Sequence, residues 1–357
     1  MIGVICFNNL RYSQFLYKYT FILDQQDIAY EVLFWNRDGE NNEVPSNWIY
    51  YNETINTFSP FYKKIFKFIN YVSFLKKKIK EKKYEKLIIL TTQSAIPLFP
   101  LLIFKYANRY IFDYRDITFE RFFFYKLMVK KIVKKSFCTM ISSDGFKQIL
   151  GDYTNVITIH NTRNFKQVER NLVRCRKLPI KVVYWGMVRQ LEFNYHLCDL
   201  FEKDNRFELV YHGAGFHKEL IDYCKKNNYY RISISGAYTL NEVNDFVQST
   251  DVILNAYAND AKQTLAITVK FYDSISFKVP MIVTSKSHMA DLVSAQKLGF
   301  IVDWNDEKCL DKLYSDIISF DWISYFKNVV DAAKHVQGDD AMFKMRVLDF
   351  LQSSEMK

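Results

Sequence analysis

The sequence lacks the residue patterns that mark several common chemistries. Its six cysteines lie at 6, 138, 175, 198, 224 and 309, and the nearest two, 175 and 198, are 23 residues apart. No C-x-x-C pair exists, so a zinc ribbon, a redox dithiol and a small disulfide scaffold are excluded. The scattered thiols are expected as buried free cysteines in a reducing compartment. Histidine is missing from the first 159 residues; all six lie at 160, 196, 212, 217, 288 and 335. A general base in the first half must therefore be a carboxylate. His212 and His217 are five apart across a loop without carboxylates arranged as ligands, so no metal site is expected. G-x-S-x-G, G-K-[ST] and H-E-x-x-H are all absent.

Glycine is scarce, at 10 of 357 residues, and long apolar runs are interrupted. Leu87 to Phe104 is 18 residues without a charge, but it holds Thr91, Thr92, Gln93, Ser94, Pro97 and Pro100. It reads as strand, polar loop and helix, not as a membrane span. Met1 to Phe7 has no basic lead region and turns polar at Asn8-Asn9, which reads as a first strand and not a secretory signal.

What is present is bulk and charge. Apolar residues make up 49% and charged residues 25%, with 31 Phe and 25 Tyr, enough for two sizeable cores. The net charge of +10 is unevenly placed. Residues 1–166 hold 25 Lys and Arg against 14 Asp and Glu, and residues 167–357 hold 24 against 25. Such asymmetry directs the first half toward an anionic partner. Residues 61–86 carry ten Lys and two Glu, including Lys76, Lys77 and Lys78. Residues 121–135 carry Arg121, Lys126, Lys130, Lys131, Lys134 and Lys135 with no acid, beside Phe122-Phe123-Phe124-Tyr125. Basic, aromatic helices suit an anionic bilayer surface, and equally a solvated lysine face. No recognition motif accompanies the charge, so nucleic acid is not an expected partner.

Short apolar runs alternate with helical patterns along the whole chain. In the first half they are Ile2–Phe7, Tyr30–Phe34, Trp48–Tyr51, Leu87–Leu90, Tyr110–Phe112, Phe137–Ile141 and Val156–Ile159. In the second they are Ile180–Tyr184, Phe207–His212, Ile232–Ile234, Val252–Leu254, Met281–Thr284 and Phe300–Val302. Continuously apolar strands separated by helices imply parallel sheets covered on both faces. The expected fold is α/β, two Rossmann-like domains in tandem with a deep interdomain cleft. The expected boundaries are 1–160, a polar linker at 161–178, a second domain at 179–335, and a C-terminal helix at 336–357 packing back on the first domain. A break is expected in that last helical stretch at Gly338-Asp339-Asp340. Ligands of such sheets bind outside the carboxyl ends of the strands, so the loops after each strand hold the candidate residues.

Asp113-Tyr114-Arg115-Asp116 follows the Tyr110–Phe112 run. Asp116 or Asp113 suits a general base on a hydroxyl, and Arg115 an anionic group; Asp116 equally suits a helix cap paired with Arg115. Gly186-Met187-Val188-Arg189 follows the first strand of the second half. Gly186 permits close backbone approach and Arg189 reaches a phosphate. His212-Gly213-Ala214-Gly215 is a shortened G-x-G, and each glycine alone is equally a tight turn. Lys270 and Asp273 lie three apart on one helix face, a cation for a diphosphate and an acceptor for ribose hydroxyls, or a surface ion pair.

These segments resemble the GT-B glycosyltransferases, in particular family 4-type enzymes of bacterial capsule, O-antigen and exopolysaccharide assembly. Asp113-Tyr114-Arg115-Asp116 is similar to the family's D-x-R-D. Ile159-His160-Asn161-Thr162 resembles its P-N-G segment with Pro and Gly both replaced, and Val183-Tyr184-Trp185-Gly186 its donor-domain opening. Thr268 to Asp273 with Lys278-Val279-Pro280 resembles the segment that reads the donor nucleotide. The family's E-x7-E pair is incomplete: Asp273 stands at the second position and Leu265 at the first. The Arg and Lys pair after the glycine is reduced to Arg189.

The resemblance implies a transferase moving a sugar from a nucleoside-diphosphate donor to a lipid-linked glycan, in the cytoplasm at the inner face of the cell membrane. Gly186, Arg189, His212, Gly213, Lys270 and Asp273 would hold the donor. Asp116, Asp113, Arg189 and Lys270 would serve catalysis. Arg115, Lys76, Lys77, Lys78, Lys130 and Lys131 would form the acceptor and membrane face. Neither a metal nor another cofactor is expected. A sugar-nucleotide epimerase or hydrolase on the same fold, or a binding protein that has lost catalysis, are the alternatives.

Overall fold

The computed structural model describes residues 1–7, 10, 13–39, 43–55, 60–162, 178–239, 241–259 and 264–353. The linker expected at 161–178 falls almost wholly outside them, as do Cys175 and residues 260–263. The described residues form two units, Met1–His160 with Gly338–Lys357, and Asn161–Gln337.

The first unit holds β1 (Ile2–Cys6), α1 (Leu16–Gln25), β2 (Tyr30–Trp35), β3 (Trp48–Tyr51), α2 (Phe61–Lys82) and β4 (Lys86–Leu90). It continues with α3 (Thr92–Ala95), α4 (Phe99–Phe104), β5 (Tyr110–Tyr114), α5 (Phe123–Lys135), β6 (Cys138–Ile141), α6 (Lys147–Leu150) and β7 (Val156–Thr158). Its strands pair in parallel in the order β3-β2-β1-β4-β5-β6-β7. The second unit holds β8 (Ile180–Trp185), α7 (Leu191–Glu202), β9 (Phe207–His212), α8 (His217–Lys226), β10 (Ile232–Ser235), α9 (Glu242–Gln248) and β11 (Val252–Asn255). After these come α10 (Val269–Phe277), β12 (Met281–Thr284), α11 (His288–Gln296), β13 (Gly299–Val302) and α12 (Cys309–Ile318). Its parallel order is β10-β9-β8-β11-β12-β13. A last helix, α13 (Trp322–Gln352), is shared between the units.

Both sheets are doubly wound, and the expected α/β fold of two Rossmann-like units is present. The strand order reverses between β1 and β4 and again between β8 and β11, the places where such sheets take ligands. Burial follows the apolar pattern: β1 is buried throughout, and the second sheet separates two cores, one containing Tyr184, the other Trp185. Those two neighbours face opposite sides because strand side chains alternate.

Two local expectations are corrected. The strand expected to end at Phe112 runs on to Tyr114, so Asp113 lies inside the sheet and is fully buried. The helix expected to break at Gly338 is continuous. A glycine there costs a helix about 1 kcal/mol. That cost is offset by Phe343, Val347 and Phe350 in the core of the first unit. Asp340 is also held by Lys18 at 3.0 Å, and Asp339 by His160 at 2.7 Å. The five described cysteines are buried, as expected.

Candidate functional site

At the carboxyl edge of the second sheet, β8 and β9 end on loops that touch through their backbones. Gly186 has φ +135°, and a Cβ on Gly213 would lie 1.6 Å from the Gly186 carbonyl oxygen. Only glycine fits at 213. The loops then bridge again at Val188 and Gly215. The two glycines that were each weak signals in the sequence are parts of one backbone crossing.

Lys270 enters this edge from the first turn of α10. It is 6% exposed, and its Nζ donates to the Tyr257 hydroxyl at 2.7 Å. The ammonium also lies 4.1 Å from the centroid of the Tyr184 ring, and 3.5 Å from where a Cβ on Gly186 would stand. No carboxylate among the described residues pairs with it. A buried ammonium held only by phenol groups is incompletely compensated and suited to an anion. Arg189 is exposed in the loop after β8. Its charge reaches the Tyr184 hydroxyl, opposing the upward push of burial and of Tyr257 on that phenol's pKa. Arg189 and Lys270 thus both lie within electrostatic reach of Tyr184.

Asp273 does not join them. It is 1% exposed and accepts a hydrogen bond from Trp185 Nε1 at 2.8 Å. Three residues of helix carry it about 4.5 Å further from the edge than Lys270, and it meets the indole on the inner side of the sheet. In this structure Asp273 is a buried partner for Trp185. A surface ion pair is excluded, since both residues are buried. His212 stacks on Phe246 at 3.7 Å and 6° and bonds Ser235 Oγ through Nδ1 at 2.8 Å. Burial, with Lys181 adding to it, pushes its imidazole pKa down.

Beside Lys270, the ends of β11 and β12 enclose a small cavity of about 20 Å³ lined by Asn255, Tyr257, Thr268, Thr284 and Ser287. That is room for about one water. Asn255 is buried and its Nδ2 has no partner there. Its Oδ1 accepts from Thr268 Oγ1 at 2.9 Å, and Ser287 caps α11. Apart from Thr268, which opens the segment likened to the donor-nucleotide reader, none of these residues was singled out in the sequence. Their signal was a polar residue closing an apolar strand, followed by Ser or Thr before the next helix.

In the first unit, Asp113 is engaged on every side. Arg115 grips it through Nε and through Nη2, the latter at 2.8 Å, and the Tyr19 hydroxyl donates to it at 2.7 Å. Asp113 therefore positions Arg115. Arg115 is itself buried, stacked 4.7 Å over Phe15, which removes it from the expected exposed face. Asp116 is exposed just beyond β5. Lys76, Lys77 and Lys131 are exposed and Lys78 and Lys130 half-buried, all on α2 and α5. Lys78 meets Glu81 at 3.5 Å.

The same edge holds a residue the sequence gave no reason to single out. Thr91, at the end of β4, has φ +72° and ψ +158°, a region that costs a non-glycine residue about 1–3 kcal/mol and clusters at functional edges. Beside it, hydroxyls run from Thr92 to Thr118 at 3.1 Å and from Thr118 to Tyr125 at 2.8 Å. Glu120, also buried, accepts from the Thr118 amide. Among the described residues no three His, Cys, Asp or Glu side chains are grouped to hold a metal ion, and no helix is long and apolar enough to cross a membrane.

No protein-family model matches the chain, and no curated protein matches it in sequence. Solved structures do. A sucrose-phosphate synthase from Thermosynechococcus elongatus aligns with TM-score 0.72 at 12% identity, over 98% of this chain and 97% of that one. HepE of Anabaena, solved with UDP and glucose, aligns with TM-score 0.65 at 11% identity, over 99% of each chain. WaaG, a glycosyltransferase involved in lipopolysaccharide biosynthesis, aligns with TM-score 0.64 at 9% identity, over 99% of this chain and 100% of that one. At these identities the likeness is one of fold, and the fold is the two-unit GT-B architecture.

Proposed function

We propose that the chain is a metal-independent glycosyltransferase. It moves a sugar from a nucleoside-diphosphate donor, held by the second unit, to a glycan acceptor held by the first. The observation that carries this reading is the buried ammonium of Lys270, beside the Gly186–Gly213 crossing and without a carboxylate partner. A diphosphate supplies the missing charge, and Arg189 from the neighbouring loop supplies a second cation. During transfer the sugar–phosphate bond breaks and negative charge grows on the leaving diphosphate. Lys270 and Arg189 are aimed at that charge, which is where electrostatic catalysis acts. The acceptor hydroxyl loses its proton to Asp116 in an inverting reaction, or to the leaving phosphate in a retaining one. A UDP complex in one fold neighbour and the lipopolysaccharide role of another support this donor class and a surface-polysaccharide product. The acceptor is a lipid-linked glycan, with the basic helices at the cytoplasmic face of the membrane.

Isothermal titration with UDP and GDP, followed by a donor-hydrolysis assay, tests the donor site. Lys270→Met is expected to weaken nucleotide binding by about 10- to 100-fold, the worth of one charge-assisted hydrogen bond. Equal affinity in the variant and the parent removes the proposed site. A purified protein that converts donor to an epimerised sugar nucleotide instead favours the epimerase.

A further inference from the structure

The charged face inferred from the sequence also carries exposed rings, several of them toward the carboxyl edge of the first sheet. Phe123 and Phe124 open α5 and are 68% and 78% exposed. Phe119 and Phe122 precede them in the turn and are more than half exposed. On the neighbouring part of the unit, Tyr62 and Phe66 stand exposed in the first turns of α2. Both helices follow a strand of a parallel sheet, so the rings at their first turns lie toward its carboxyl edge. A large exposed apolar patch ringed by polar residues marks an interaction surface.

The charges around the rings name the partner. Arg121 lies 4.8 Å over the Phe122 ring, and Lys63 is exposed between Tyr62 and Phe66. From Phe123 to Lys130 and Lys131 is about 10–12 Å along the helix axis. An interfacial segment sinks roughly 5–10 Å below the headgroups. Lys130 and Lys131, about two turns along the same helix, supply cations for the lipid phosphates beside the rings. Residues 121–135 contain no acid to oppose them.

We propose that this edge inserts into an anionic bilayer, the rings of Phe122, Phe123 and Phe124 entering the acyl layer while Lys126, Lys130 and Lys131 bind the lipid phosphates. The inference deepens the reading that the acceptor is lipid-linked, and rests on it only for its purpose. Insertion turns the carboxyl edge of the first sheet, with Asp116 and Thr118, toward the bilayer that carries such an acceptor. It also differs from simple electrostatic adsorption, because buried rings hold when salt screens the lysines.

The full chain is mixed with vesicles of phosphatidylcholine alone or of phosphatidylcholine with phosphatidylglycerol, at about 0.1 M and about 1 M NaCl. Sedimentation is expected with the anionic vesicles at both salt concentrations. Phe123→Ser with Phe124→Ser is expected to lower partitioning roughly tenfold or more per ring removed. These side chains are exposed, so circular dichroism and UDP affinity are expected to match the parent. In Phe124→Trp, the added fluorophore is expected to shift blue on binding and to be quenched by lipids brominated on the acyl chain. Binding that vanishes at about 1 M NaCl without quenching overturns insertion while leaving the membrane reading in place. Failure to bind any vesicle overturns both, and the nucleotide titration remains a separate judge of the transferase. A concentration-dependent dimer abolished by the Phe123→Ser, Phe124→Ser pair assigns the edge to a second copy and overturns the proposal.

Discussion

Two buried charges in this chain have opposite meanings, and single substitutions separate them. Asp113 and Arg115 form a complete buried pair, closed by Tyr19. Removing one partner of such a pair strands the other, at a cost of about 3–5 kcal/mol. Asp113→Asn is therefore expected to lower the unfolding free energy of the first unit by that amount, read from urea titration, whatever it does to activity. Lys270 is buried without an opposite charge. Lys270→Met is expected to leave the unfolding midpoint of the free protein unchanged or higher, while nucleotide affinity falls as above. A large loss of stability in Lys270→Met would show that the ammonium serves the core. The sequence presented both residues as candidate site groups. It could not distinguish them, because the distinction depends on where β5 ends and which way α10 is turned. The apolar run ends at Phe112, and two further residues of strand enclose Asp113 in the sheet. Asp273 shares a helix face with Lys270, but the indole that binds it comes from a strand 88 residues away in sequence.

At the scale of elements, the thirteen strands were legible because parallel strands buried on both faces are continuous apolar runs. Their ends were less so. The basic stretch at 121–135 becomes helix only at Phe123, after a turn whose aromatic residues mimic an amphipathic start. The last helix was expected to break at Gly338, and it does not, because contacts distant in sequence hold it on both sides of the glycine. That continuity has a measurable corollary. A Cβ at Gly338 would meet nothing within 4 Å, and the residue is helical. Gly338→Ala removes freedom from the unfolded chain without a clash, and is expected to stabilise the protein by about 0.5–1 kcal/mol. Thermal unfolding of the two proteins side by side checks it. A lower midpoint in the alanine variant would mean that the helix is broken at Gly338 in solution.

Across the whole molecule, the chain does not divide at one point. The first unit takes back the stretch from Gly338 onward, so its stability depends on a segment that follows the second unit in the chain. Phe350 is fully buried there, 5.3 Å from Phe137 and under the Lys86 ammonium at 5.1 Å. Lys86 in turn donates to the Leu351 and Ser353 carbonyls at 3.1 and 2.7 Å. Truncating a buried phenylalanine to alanine costs about 3–5 kcal/mol through lost burial and the cavity left behind. In Phe350→Ala that cost is expected to fall on the unit whose core the ring occupies. Hydrogen exchange read by peptide should accelerate in β1, β4 and β6, which share that core or pair beside it, and stay at the parent rate in β8, β9 and β11. Two units with separate cores unfold as separate cooperative blocks. Uniform acceleration across both sheets would instead show that residues 338–352 support the molecule as one block. In that case a mutation near the C-terminus would reach the proposed donor site through stability alone, and UDP affinity in Phe350→Ala would fall together with the exchange protection of β8.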